Sequence, residues 1–415
     1  MLYDLLVKAD HVLDPGQKLD GQLDIGITNG RITALHADIP ASEAKKTIEV
    51  RGANRYVVPG LIDLHAHVAV GAMTEGLGLR CVDPDLVGIR AGVTTVVDAG
   101  SLSPSNFGPW RAFLVPRTRT RLICHLRPVS RALAQLGYDE ISQIEDVDVR
   151  AFARAVEANP GFIQGVKMRT VGSIMDECGQ EIVLRCKAIA HEHRLPLTVH
   201  SLDPKGDMAR RRDLTRFILR TLEPGDIFTH ISTPYPGGVL DEVGRPVPEI
   251  LEAQRNGVVL DAGLGSQGFS YQVACRLAEH GVHPDVISSD LAARNFHGPV
   301  YSLMECMAKY MAVGYRLEEV VGMATSAPAR VLEMADQLGA IAIGREADLT
   351  IMDVIPGRWK YWTSFTQAIP QPGLDPAKES FIGEHAIIPV QTICGGELFA
   401  PDWGPHPWGW LPAEA

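Results

Sequence analysis

His65 and His67 stand two residues apart in Asp63-Leu64-His65-Ala66-His67, at the end of the apolar run Val57–Asp63. On an extended chain, residues i and i+2 point to one side, so both imidazoles can reach one ion. An isolated His-x-His is a weak signal. His191-Glu192-His193 lies in the helical stretch Ile182–His193, where i and i+2 diverge, and reads as surface. Four further runs end in groups of the same chemistry: Lys167 after Gln164-Gly165-Val166, His200 after Leu197-Thr198-Val199, His230 after Ile227-Phe228-Thr229, and Asp290 after Ser288-Ser289. Each alone has a plain structural reading, a hydrogen-bonded imidazole or a lysine with its stem along apolar surface and its charge outward. All six in this order, on this period, are hard to ascribe to chance.

The elements that position them repeat. Eight strand candidates, Val57–Asp63, Val93–Ala99, Arg121–Arg127, Phe162–Arg169, Leu197–Ser201, Asp226–Ile231, Val258–Ala262 and Val286–Asp290, alternate with helical stretches such as Ile182–His193, Tyr271–His280 and Met304–Ala312. Alternation of this kind predicts βα units on a parallel sheet, and eight of them predict an α/β fold closed as a (β/α)8 TIM barrel. Such barrels gather catalytic groups at the C-terminal ends of their strands, where these six residues fall. Residues 1–56 read as short strands (Leu5–Val7, Leu23–Ile27, Arg31–Leu35), and residues 344–415 supply more (344–353 and 386–394). The expected organisation is a small β-sandwich built from both ends of the chain around a barrel at 57–343, with a Pro- and Trp-rich tail after Phe399. That tail, carrying Trp403, Trp408 and Trp410, packs on a neighbouring copy or stays loose.

The bulk properties exclude other classes. The 415 residues carry a formal net charge of −11 with no basic stripe, so nucleic acid is not an expected partner. Arg210-Arg211-Arg212 reads as a solvated helix face. No apolar run reaches the ~20 residues of a membrane span, and the first ten residues are too short and polar for a signal peptide. Seven scattered cysteines, none spaced as Cys-x-x-Cys, fit reduced thiols and a cytoplasmic address.

The segments Val58-Pro-Gly-Leu-Ile-Asp-Leu-His-Ala-His67, Gly92-Val-Thr-Thr-Val-Val-Asp-Ala-Gly100 and Gly344-Arg-Glu-Ala-Asp-Leu349 resemble the amidohydrolase superfamily, in the subtype whose carboxylated lysine bridges two divalent ions. The resemblance implies that His65, His67 and Asp290 hold one ion, His200 and His230 the second, and a CO2-derived carbamate on Lys167 both. Zinc is the default metal, with manganese and cobalt compatible. Physical chemistry agrees: only a neutral amine adds CO2, burial beside cations favours that form, and two ions bring the pKa of a bridging water toward ~7. Asp290 would then act as general base.

Three further stretches, 98–107, 224–230 and 295–300, are similar to the deacetylase-like group once labelled dihydroorotases, which implies hydrolysis of acetyl esters of α-hydroxy acids such as mandelate, or of N-acyl amino acids. Ala69 stands where dihydroorotases carry a carboxylate-binding Arg, and Lys167 counts against single-ion deaminases. Leu264, in Gly263-Leu264-Gly265, replaces the histidine of apparent relatives and either opens an apolar pocket or packs. Arg169 and Arg294 are candidates for binding a substrate carboxylate, or for structural ion pairs; Asn295 is a further substrate contact, and Tyr138 and His297 are placed near the mouth. The expected reaction is hydrolysis of a linear amide or ester, with cyclic amides second and a non-enzymatic scaffold third. A homo-oligomer is expected.

Overall fold

The computed structural model describes residues 1–72, 81–131, 141–364, 374–375 and 380–415. Both chain ends build one mixed sheet. From the N-terminal side come β1 (Tyr3–Asp14), β2 (Leu19–Thr28), β3 (Arg31–His36), β4 (Ala44–Val50) and β5 (Arg55–Pro59). The parallel sheet follows with β6 (Leu61–Ala66), β7 (Val93–Ala99), β8 (Arg121–Leu126), β9 (Ile163–Arg169), β10 (Leu197–His200), β11 (Ile227–Thr229) and β12 (Val259–Asp261). The far end returns β13 (Leu349–Trp362), β14 (Ser380–Cys394), β15 (Glu397–Phe399) and β16 (Ala413–Glu414) to the first sheet.

The two ends meet where β5 pairs antiparallel with β13, from Pro59 opposite Leu349 to Arg55 opposite Asp353. The mixed sheet then runs β15-β14-β13-β5-β1-β2-β3, with β16 on β13 and β4 on β1. Val7, Ile25, Ile27, Val57, Ile351 and Ile393 form its own apolar cluster. All nine strands belong to one hydrogen-bonded sheet, where two packed sheets were expected.

Strands β6 to β12 lie side by side in chain order, every neighbouring pair parallel. β6 and β7 are buried at every position, as parallel strands covered on both faces must be. The covering helices are started by side chains that accept from free backbone N–H groups: Asp148 for Val149–Ala158, Asp207 for Met208–Thr221, Ser270 for Tyr271–Glu279 and Ser302 for Leu303–Val313. No helix among the described residues is long and apolar enough to cross a membrane.

Three expectations are corrected here. The run Val57–Asp63 is not one strand: it divides at Gly60, giving its first half to the mixed sheet and its second to the parallel one. Val286–Asp290 forms no regular strand, because Asp290 takes a left-handed backbone (φ 49°) that ends extended pairing. The segment is still held on both sides. Ala262 and Leu264 donate to the carbonyls of Val286 and Ser288 beyond β12, while Asp290 N donates to His65 O (2.7 Å) and His67 N to Leu291 O (2.8 Å) beyond β6. Arg211 does not face solvent with its neighbours. It is 2% exposed, and its guanidinium donates to Gly172 O and Asp203, tying the segments after β9 and β10 together.

Candidate metal centre

Asp63, His65 and His67 occupy alternate positions along and just beyond β6, so all three face the inside of the parallel sheet. The turn after the strand brings His67 Nε2 to 3.1 Å from Asp290 Oδ1, and His65 Nε2 to 3.5 Å from the same oxygen. The donor atoms of these three residues all lie within 4.8 Å of one another, a grouping able to hold a metal ion. Lys167, at the end of β9, is fully buried and puts Nζ 3.0 Å from His65 Nε2. His200 at the end of β10 and His230 just past β11 face each other, His230 Nε2 lying 2.7 Å from His200 Nδ1. All six expected ligands therefore converge on one buried site.

The outward ring nitrogens identify what the inward ones are for. His230 Nδ1 bonds Gly263 O and His200 Nε2 bonds Leu202 O (3.0 Å). A carbonyl only accepts, so both outward nitrogens carry the proton and both inward nitrogens present lone pairs. Burial holds both rings neutral, bringing the His230 pKa down to about 3 and that of His200 well below the usual histidine range. Two lone pairs 2.7 Å apart repel unless a cation lies between them. The donor set fits a divalent ion.

The first pair is braced differently. His67 Nδ1 meets Ser101 Oγ at 2.9 Å, and His65 Nδ1 meets Thr229 Oγ1 at 3.3 Å. Thr229 donates onward to Asp261 (2.6 Å). Burial alone would raise the Asp290 carboxyl, but the surrounding imidazoles, His65 and His67 foremost, outweigh it and hold it well below the usual carboxylate range. Lys167 is lowered to about 7, first by desolvation. Its stem passes Gly100, whose left-handed backbone (φ 99°) and missing side chain are both required, since a Cβ there would lie 2.8 Å from Lys167 Cγ.

A narrow cleft opens on these groups, lined by His65, His67, Lys167, Arg169, His200, Asp290, Ala292 and Arg294. Both candidate carboxylate anchors thus share a wall with the ligand cluster. Asn295 does not line it. Its amide is spent on the loop, accepting from Ala292 N and donating to Asp290 O. Leu264 is 1% exposed and packs in the core, which decides between its two readings. The exposed His297 turns to Pro405 O (2.7 Å), toward the tail. Tyr138 lies outside the described residues. Ser101, Thr229, Asp261 and the carbonyls of Leu202 and Gly263 were not found from sequence. Asp63, which accepts from Ser289, was within reach, since it shares the i, i+2, i+4 face of His65 and His67.

The chain is 31% identical over 405 residues to a deacetylase from Enterococcus faecalis, covering 96% of this chain and 100% of that one. A deacetylase from Agrobacterium fabrum is 30% identical over 328 residues, 79% of this chain and 77% of its own. Among solved structures, one described as an adenine deaminase superposes with a TM-score of 0.82 at 28% identity, covering 96% of this chain and all of that one. A dihydroorotase follows at 0.79 and 25%, covering 96% and 97%. The sequence signature of the amidohydrolase family spans residues 56–398, the parallel sheet and its buried cluster included, and the chain belongs to that family of hydrolases.

Proposed function

We propose that this hydrolase carries a binuclear metal centre and cleaves the acyl amide or ester bond of a small carboxylate-bearing compound. The observation that carries the reading is the pair of facing, unprotonated nitrogens on His200 and His230, beside the trio His65, His67 and Asp290. In this assignment the trio holds one ion and the facing pair the other. The Lys167 amine would carry a carbamate and complete both sets, with zinc the default metal and manganese or cobalt compatible. Divalent ions in such a centre activate water near neutral pH and polarise a carbonyl. The protein's own groups do the rest. Asp290, ionised and facing the cleft, takes the proton of the attacking water and returns it to the leaving group. Arg169 and Arg294, in the wall of the same cleft, bind the substrate carboxylate.

The segment 286–291 is assigned as the eighth stave, closing a (β/α)8 barrel that begins at β6 rather than at residue 57 and runs to 343; the residues through β5 and 344–415 form the accessory β-domain. Seven scattered cysteines, none spaced as Cys-x-x-Cys, fit a reducing, cytoplasmic setting. The relatives named deacetylase favour a linear acyl substrate. The dihydroorotase neighbour supports cyclic amides as the second reading.

The test is acetate release by zinc-loaded protein from each enantiomer of O-acetylmandelate and from N-acetyl amino acids, beside turnover of dihydroorotate. Enantioselective acetate release is expected, and Arg169→Met is expected to raise KM for carboxylate-bearing substrates while sparing neutral esters. Turnover of dihydroorotate with no acetate from any acyl substrate would replace the acyl reading with the cyclic one.

A further inference from the structure

The two halves of the cluster are not equivalent, and the difference is built into what stands behind each imidazole. The half made by His65, His67 and Asp290 offers three donors, one of them anionic, already within 4.8 Å of one another. The half made by His200 and His230 offers two neutral donors and needs Lys167 to complete it.

Behind His65 lies a relay. Asp261 accepts on both oxygens, from Ser288 Oγ (2.7 and 2.9 Å), Thr229 Oγ1 (2.6 Å) and Gly263 N (3.2 Å). The Gly263 N–H can only donate, and the Thr229 and Ser288 hydroxyls are placed to donate as well, so Asp261 serves as the acceptor of this group. Because Thr229 spends its proton on Asp261, its lone pairs face His65 Nδ1, which donates to a hydroxyl already polarised by that bond. Behind His67 stands Ser101, whose own N–H is held by the buried carboxylate of Asp98 (2.9 Å). His200 and His230 instead lean on the neutral carbonyls of Leu202 and Gly263. An outer acceptor raises the basicity and fixes the orientation of a ligating imidazole. The hydroxyls behind His65 and His67 are each tied in turn to a buried acidic side chain, Asp261 through Thr229 Oγ1 and Asp98 through Ser101 N, whereas the carbonyls behind His200 and His230 are backed by no such group among the described residues.

We infer that the centre loads in order: the half built on His65, His67 and Asp290 binds its ion first and more tightly, and Thr229 and Ser101 are the positioning residues that make it so. This deepens the binuclear reading and rests on it.

The test uses metal-depleted full-length protein, titrated with Zn2+ in bicarbonate buffer by calorimetry, with bound metal counted by mass spectrometry. Wild type shows two steps of one ion each. The double variant His200→Asn, His230→Asn keeps the tight step and loses the weak one. Thr229→Val weakens the tight step about 10- to 100-fold, and Thr229→Ser, which keeps the hydroxyl, restores it. Two steps of equal affinity would overturn the inference, as would loss of the tight step in the double variant or a tight step unmoved by Thr229→Val in protein with a wild-type circular dichroism spectrum. Absence of any bound Zn2+ in wild type would instead overturn the binuclear reading itself.

Discussion

Lys167 shows how far one position in a strand can change a side chain's chemistry. An amine buried among imidazoles loses the water that stabilises its charge, and its pKa falls from 10.5 to about 7. Above that pH the metal-free protein holds a neutral amine able to add CO2; below it the amine is an inert ammonium. Recovery of hydrolysis from metal-free protein given Zn2+ and bicarbonate is therefore expected to rise with pH through about 7, and a flat profile across that range would contradict the assignment. The same shift is linked to folding. Between about 7 and 10.5 the unfolded chain keeps a proton the folded chain has lost, so this group's contribution to stability rises with pH across that window and is at its least favourable below it. The clustered side chains were legible in the sequence because each falls at or near the end of a strand-like run. Their supports were not. Ser101 and Thr229 are ordinary hydroxyl residues until the fold sets them against His67 and His65, and the carbonyls of Leu202 and Gly263 have no sequence signature at all.

At the level of elements, β7 matches its expected bounds, and β8 to β12 fall inside theirs with ends trimmed by one or two residues. The failures have physical causes. Val57–Asp63 is apolar throughout because both of its halves are buried, so hydrophobicity could not reveal that it serves two sheets. The 286–291 segment has the composition of a strand, but its end is bent to aim Asp290. That bend is matched across the site by Gly265, at φ 52°, where a Cβ would lie 2.1 Å from Asp290 Oδ2. Gly265→Ala is expected to cost about 1–3 kcal/mol in backbone strain and, by displacing the Asp290 carboxylate, to lower turnover more than stability alone explains. A melting curve beside kinetics below the melting range checks this. Wild-type turnover in the variant would show that Asp290 tolerates the displacement.

Over the whole molecule, the chain ends are tied into the architecture. β5 and β13 join them, and β16 returns the last residues to Trp359 and Lys360 of β13. Between β15 and β16 the tail lies against its own chain: His406 is buried, stacks on Tyr301 (3.9 Å between ring centres) and bonds Glu305 at 2.8 Å. Trp403 and Trp408 stay 72% and 54% exposed. None of this was readable from a Pro- and Trp-rich composition, which does not say what a tail touches. What the fold delivers is one buried cluster in which the Lys167 amine lies 3.0 Å from His65 Nε2, and on which the proposed centre rests. The most direct test is the metal content and hydrolytic rate of Lys167→Ala beside wild type. Two ions per wild-type chain, with one ion and background hydrolysis in the variant, is the expected result; a variant holding two ions at the wild-type rate would contradict it.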